Sequence, residues 1–143
     1  MPLLSIEKLT KSFGGLTAVS NVSIQVKEGE LVGIIGPNGA GKTTIFNLLT
    51  GVYAPTSGSI KLDIGGNIKD LTGMKPYNVT KAGLARTFQN IRLFKDLTVL
   101  DNVRIAMHQN IQYRLPSAFF HLKKYHEEED RLVDEATKLL DIF

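Results

Sequence analysis

A run of nine residues in the first third of the chain has the composition and spacing to bind a polyphosphate. It reads Gly36-Pro37-Asn38-Gly39-Ala40-Gly41-Lys42-Thr43-Thr44 and fits the pattern G-x-x-x-x-G-K-[ST], the phosphate-binding loop or P-loop. Such a loop needs glycine, because backbone N–H groups must surround the phosphates and the chain must adopt positive φ angles. The run therefore predicts a nucleotide-binding site.

The residues at the carboxyl end of this run have separate chemical uses. Lys42 would bring a positive charge to the β- and γ-phosphates of a nucleotide, and the hydroxyl of Thr43 would bind Mg²⁺. A helix beginning near Gly41 would direct the positive end of its dipole at the same anion. A glycine-rich turn with an accidental Lys-Thr is the alternative, but the apolar run at residues 31–35 and the helix after the loop favour phosphate binding. We assign residues 36–44 to the nucleotide and give Lys42 a catalytic role.

Four other stretches indicate what kind of nucleotide-binding protein this is. They are residues 9–15, 50–60, 83–94 and 97–103. In this order they resemble the ATP-binding subunits of ABC transporters. Within the third stretch, Arg-Thr-Phe-Gln-Asn-Ile-Arg-Leu-Phe is similar to the subunits that energise branched-chain amino acid uptake in bacteria and archaea. The resemblance runs from about Leu3 to Val103 and weakens beyond it.

The resemblance implies roles for two residues outside the P-loop. Phe13 would stack on adenine, which is physically reasonable because an exposed aromatic face can hold a purine. The alternative is a phenylalanine packed in the core at the end of a strand. Gln89 would reach Mg²⁺ and the attacking water and would move with the transmembrane subunit, since an amide can accept from water and coordinate a hard cation through its oxygen. A solvated loop residue is the alternative for Gln89.

The candidate site residues must be positioned by the strands of a sheet and by helices that are connected to these strands through loops. Hydrophobic periodicity and the Gly and Pro residues predict strands at residues 3–9, 22–26, 31–35, 59–63 and 84–88, and helices at residues 42–50 and 76–82. The strand at 31–35 should be buried, and the strand at 84–88 should deliver Gln89 to its loop. The predicted fold class is α/β, with a P-loop NTPase core of the ABC type and an antiparallel β subdomain.

Helices dominate the rest of the chain. Thr98 should cap a helix from Val99 to about Asn110, and a second helix should begin near Glu127. We expect two domains: residues 1–88 form the nucleotide-binding core, and residues 89–143 hold the Gln89 loop and the start of a helical subdomain. By the family resemblance, the apolar side chains beside Gln89 would meet the permease; they are Ile91, Leu93 and Phe94.

Some family features are missing from these residues. After Val103 there is no Leu-Ser-Gly-Gly-Gln-like signature, no apolar strand ending in Asp-Glu and no later switch histidine. In the family, these parts polarise water, hold Mg²⁺ from its second side and clamp the partner's ATP. Phosphoryl transfer depends on positioning and on charge stabilisation. We therefore expect this chain to be the truncated, N-terminal piece of a longer ATPase that binds ATP but turns over little.

Composition limits the possible partners. The chain has 143 residues and a net charge of +3, with no concentrated basic stripe that would suggest nucleic acid. It has no cysteine, which excludes disulfides and thiolate metal sites. Its N-terminus does not resemble a signal peptide, and no apolar run approaches the roughly 20 residues of a membrane span. We expect no direct membrane insertion but a cytoplasmic protein that is held at the inner face of the cell membrane by a partner.

Three functions from different classes follow from these observations. The first is an ATP-hydrolysing subunit that pairs head to tail with a second ATP-binding subunit and drives transmembrane permease subunits, in a branched-chain amino acid importer. The second is a soluble ABC-type ATPase that is not tied to transport, which failure to co-purify with a permease would reveal. The third is a stand-alone P-loop nucleotide-binding module or kinase, which phosphoryl transfer to a small hydroxyl acceptor would reveal.

Overall fold

The computed structural model of the chain describes residues 2–88, 92–107 and 123–142. The chain divides into two units, Met1–Thr87 and Phe88–Phe143. The first unit contains the sheet and the P-loop. The described residues of the second unit form two helices.

The sheet of the first unit is antiparallel throughout. Its four strands are β1 (Leu4–Phe13), β2 (Leu16–Val26), β3 (Ser57–Ile64) and β4 (Asn67–Asp70), in the spatial order β2-β1-β3-β4. The strands predicted at residues 3–9, 22–26 and 59–63 are confirmed, and the observed ones are longer. β4 was not predicted, because its four residues, Asn-Ile-Lys-Asp, do not show the alternation of apolar and polar residues that indicates a strand.

The core of this unit lies between one face of the sheet and two helices. β1 and β3 are in register with Leu4 opposite Leu62 and Ile6 opposite Ile60, so that alternate residues share the buried face. Helices α1 (Lys42–Leu49) and α2 (Pro76–Ala82) pack their apolar sides against it. The buried helix side chains are Ile45, Leu48, Val79 and Ala82. Proline at the start of α2 and Gly83 at its end delimit the helix at the predicted residues.

Two predicted strands are wrong for this structure. Residues 31–35 and 84–88 belong to no strand. Leu31 and Ile35, which were expected in the core, are 99% and 97% exposed. A strand needs a neighbour that supplies the other half of its hydrogen-bond ladder. Within the described ranges, β1 to β4 pair only among themselves, so the apolar pattern of residues 31–35 has no partner.

The second unit is held together by packing and by an ion pair between two helices. α3 (Val99–Ala106) begins with the predicted cap, in which Thr98 Oγ1 accepts a hydrogen bond from the N–H of Asp101 at 3.1 Å. α4 (Lys123–Leu140) starts earlier than predicted and buries Leu132 and Ala136. The Arg104 guanidinium on α3 pairs with the Glu129 carboxylate on α4. The helices in the described part of the chain are too short or too polar to cross a membrane.

Burial predicts different effects for the same substitution at two leucines of the first unit. Leu9→Ala should lower the free energy of unfolding by about 2–5 kcal/mol, because it leaves a cavity at a fully buried position of β1. Leu31→Ala should change it by less than about 0.5 kcal/mol, since the Leu31 side chain lies in solvent. Urea unfolding followed by circular dichroism measures both. Equal losses would mean that residues 31–35 are buried after all.

Candidate nucleotide site

The P-loop lies directly before α1 and ends against β2. Gly41 occupies the position immediately before the helix with φ of 83° in the left-handed region, where only glycine is free of strain. A Cβ atom at Gly41 would overlap the carbonyl oxygen of Ala18 and would lie 3.3 Å from Cγ2 of Val19. Glycine at this position therefore lets the P-loop rest on the backbone of β2.

The side chain of Lys42 turns back into the P-loop. Its ammonium donates hydrogen bonds to the carbonyl oxygens of Gly36, at 2.6 Å, and Pro37, at 2.7 Å. The loop is also closed by a hydrogen bond from the N–H of Ala40 to the carbonyl of Pro37, at 3.3 Å. An ammonium group has three donors. Among the described residues no third acceptor is present for it, so the cation can take an external anion as a partner.

The first turn of α1 adds to the positive character of the loop. The helix carries no acidic residue in that turn, and no side chain caps its N-terminus. Its first N–H groups thus have no side-chain acceptor and present the positive end of the helix dipole. Thr43 is exposed in this turn, and Thr44 beside it is half-buried. Lys42 and the uncapped start of α1 therefore concentrate positive charge at the same end of the helix.

Phe13 lies on the same hairpin that supports the P-loop. It is the last residue of β1 and is 42% exposed, so the alternative of a buried core residue does not hold. Its partner in β2 is Leu16, two residues before Ala18, whose carbonyl abuts Gly41. Two residues of a strand span about 7 Å. The hairpin therefore brings the exposed aromatic ring and the end of the P-loop to neighbouring positions.

Two contacts around α1 involve residues that sequence analysis did not single out. Tyr53, after the end of α1, packs its ring against Phe13 with 5.2 Å between the ring centroids and 79° between the planes. Asn47 on α1 accepts a hydrogen bond through Oδ1 from the Arg86 guanidinium at 2.7 Å. The sequence gives only one indication of a role for Tyr53, which is that an aromatic residue lies between the end of α1 and Pro55. Gln89 and Ile91 lie outside the described residues.

The comparisons with known proteins identify the family. The model of the family described as ABC transporter matches residues 19–142. The chain belongs to the ABC transporter family. The sequence is 41% identical, over 140 residues, to the high-affinity branched-chain amino acid transport ATP-binding protein LivG of Salmonella typhimurium; the match covers 98% of this chain and 53% of LivG. The chain thus spans about half the length of the curated relatives that it matches.

Solved structures agree with this assignment. A nucleotide-free ATP-binding cassette from an ABC transporter matches with a TM-score of 0.72 and 36% identity, over 99% of this chain and 53% of that one. The ADP conformation of an ATP-binding cassette of an ABC transporter matches with a TM-score of 0.66 and 37% identity, over 84% of this chain and 46% of that one. The predicted ABC-type fold and the family resemblance are confirmed.

The close approach of the P-loop to β2 predicts different costs for two glycine substitutions. Gly41 and Gly39 have nearly equal φ angles, 83° and 84°, so alanine at either position should cost about 1–2 kcal/mol of backbone strain. Gly41→Ala should lower the free energy of unfolding by about 1–3 kcal/mol more, because its Cβ overlaps the Ala18 carbonyl while a Cβ at Gly39 meets nothing within 4 Å. Denaturant unfolding without nucleotide gives the difference. Equal costs would show that the P-loop does not rest on β2.

Proposed function

We propose that this chain binds Mg-ATP and belongs to the ATP-hydrolysing subunit of an ABC importer, one for branched-chain amino acids. The observation that carries the proposal is the P-loop, which is closed around the Lys42 ammonium and lies at the uncapped start of α1. Two similar proteins support it, because LivG is a branched-chain amino acid transport ATP-binding protein and a similar cassette is known in an ADP conformation.

Residues 36–44 would bind the triphosphate. Lys42 would exchange the carbonyl oxygens of Gly36 and Pro37 for phosphate oxygens, and the exchange is favourable because hydrogen bonds between two charged groups are stronger than bonds to neutral carbonyls. The loop backbone of Asn38, Gly39 and Ala40 would surround the phosphates. Stabilisation of the charge on the transferred phosphoryl group would be the catalytic role of Lys42.

Thr43 fits a role in binding Mg²⁺ together with the phosphates. Its side chain is exposed in the first turn of α1, and within the described ranges no hydrogen bond occupies its hydroxyl. Mg²⁺ in such sites is held by a few protein oxygens and by phosphate oxygens. We assign Thr43 and the amide oxygen of Gln89 to the metal, and Gln89 also to the attacking water. Mg²⁺ would neutralise charge on the phosphates, and this chain would hold it through oxygen ligands.

Phe13 would hold the adenine base. Its ring is exposed at the end of β1, and the β1–β2 hairpin places it next to the end of the P-loop. Stacking needs only an accessible aromatic face, because every base has a π-surface. The affinity for ATP would therefore have a phosphate part, from the P-loop, and a separate base part, from Phe13.

The second unit carries an exposed apolar surface. Leu93 and Phe94 are exposed, and they line an open cavity of about 610 Å³ together with residues of α3 and Leu139 of α4. Exposed apolar residues around a concavity are typical of a protein interface. We propose that permease subunits contact this surface and that a second ATP-binding subunit pairs head to tail with the first. The protein would then act in the cytoplasm, at the inner face of the membrane.

Substitution of the P-loop lysine tests the nucleotide assignment. Lys42→Ala should weaken Mg-ATP binding by about tenfold or more, because it removes charge-assisted hydrogen bonds to phosphate. Lys81→Ala, at an exposed position of α2, is the matched control and should leave the affinity unchanged. Isothermal titration calorimetry measures both variants. Equal binding by wild type and Lys42→Ala would refute the P-loop assignment.

Turnover tests the catalytic part of the proposal. This chain should release little phosphate from Mg-ATP above the Lys42→Ala blank, since neither a signature sequence nor an Asp-Glu strand end follows Val103. Gln89→Ala should leave ATP binding largely intact and should reduce turnover only in the complete transporter. A steady-state phosphate assay compares phosphate release by this chain with release by Lys42→Ala. Clear Lys42-dependent release would mean that these residues contain a catalytic carboxylate.

A further inference from the structure

The segment between α1 and β3, residues 50–56, joins the carboxyl end of α1 to the residues around Phe13. It leaves the carboxyl end of α1, whose other end carries the P-loop. It then passes the end of β1 and enters β3. Its contacts concentrate on the residues around Phe13. The inference below rests on the proposed nucleotide function and concerns how this segment acts on the base.

Tyr53 is fixed from the α1 side. Its backbone N–H donates a hydrogen bond to the carbonyl oxygen of Asn47, in the last turns of α1, at 3.1 Å. Its ring meets the Phe13 ring edge to face, with centroids 5.2 Å apart. This is one of the two arrangements that aromatic pairs prefer, because the positive edge of one ring faces the negative face of the other. The backbone of Tyr53 is therefore tied to α1, while its ring contacts Phe13.

The end of β1 is fixed to the same segment by polar contacts. The Lys11 ammonium donates a hydrogen bond to the carbonyl oxygen of Ala54 at 2.7 Å and lies over the Phe13 ring, 5.0 Å from its centroid. Thr56 accepts through Oγ1 from the N–H of Ser12 at 3.1 Å and donates its own N–H to the carbonyl of Thr10 at 2.8 Å. Phe13 is thus exposed, yet its neighbours on two sides are held in place.

We propose that Tyr53 is a positioning residue for the nucleobase, which acts by fixing the orientation of the Phe13 ring. An exposed phenylalanine at a strand end would otherwise sample several rotamers, and a base that stacks on it would have to immobilise the ring. The edge-to-face contact selects one orientation before the nucleotide binds. Tyr53 therefore contributes to the base part of the affinity and not to the phosphate part.

Two ligands separate these parts of the affinity. ATP has both a base and a triphosphate, whereas inorganic tripolyphosphate has only the phosphates. Tyr53→Leu should weaken Mg-ATP binding by about threefold to tenfold, because the nucleotide would then have to immobilise the Phe13 ring itself. It should leave the affinity for tripolyphosphate unchanged. Isothermal titration calorimetry on the whole chain measures both affinities.

Three further variants make the test specific. Tyr53→Phe keeps the ring and should bind ATP like the wild type. Tyr77→Leu makes the same substitution at an exposed tyrosine of α2 and should have no effect. In a Phe13→Leu background, Tyr53→Leu should cause no additional loss, because Tyr53 acts through the Phe13 ring. Where Tyr53→Leu fails to give the circular dichroism of the folded chain, Tyr53→Met takes its place.

The outcomes distinguish this inference from the proposed function. Unchanged ATP affinity in Tyr53→Leu, beside Lys42-dependent binding, would overturn the role of Tyr53 and leave the P-loop assignment intact. Equal losses for ATP and tripolyphosphate would also overturn it, since they would show a general disturbance of α1. Failure of Lys42→Ala to weaken either ligand would instead refute the proposed function itself.

Discussion

The close approach of Gly41 to the carbonyl of Ala18 is the constraint on which the proposed site depends. It sets the start of α1 against β2, so that the P-loop has a fixed base and Lys42 can fold back over it. A side chain larger than hydrogen would separate the helix from the strand. Because β2 pairs with β1, the same contact also fixes the position of the P-loop relative to Phe13.

The elements of the proposed site meet at one end of the antiparallel sheet, the end at which β1 stops. The β1–β2 hairpin carries Phe13 and supports Gly41, while residues 50–56 return from α1 to the end of β1 through Tyr53 and Lys11. The site is consequently built from elements that are distant in sequence but joined by short contacts. In the second unit, α3 and α4 are joined by the Arg104–Glu129 ion pair and form an apolar surface of their own.

Local signals predicted much of this fold. The ends of α2 follow from Pro76 and Gly83, and the start of α3 follows from the Thr98 cap, because these residues act on backbone groups within one helical turn. Residues 31–35 show where such reasoning fails. Their apolar pattern indicates that they can be buried in a sheet, but burial requires a pairing partner, and periodicity says nothing about which strand that is.

The sequence by itself determined the family of this protein and the chemistry that is proposed for it. The spacing of glycines, lysine and threonine in the P-loop is a local property of nine residues, and the flanking stretches were enough to indicate an ABC-type nucleotide-binding protein. Only the tertiary structure decided that Phe13 is exposed, that Tyr53 and Lys11 hold its ring, and that Leu31 and Ile35 are left in solvent. The physical reason is that exposure and side-chain orientation depend on contacts between residues far apart in the chain, which no local pattern encodes.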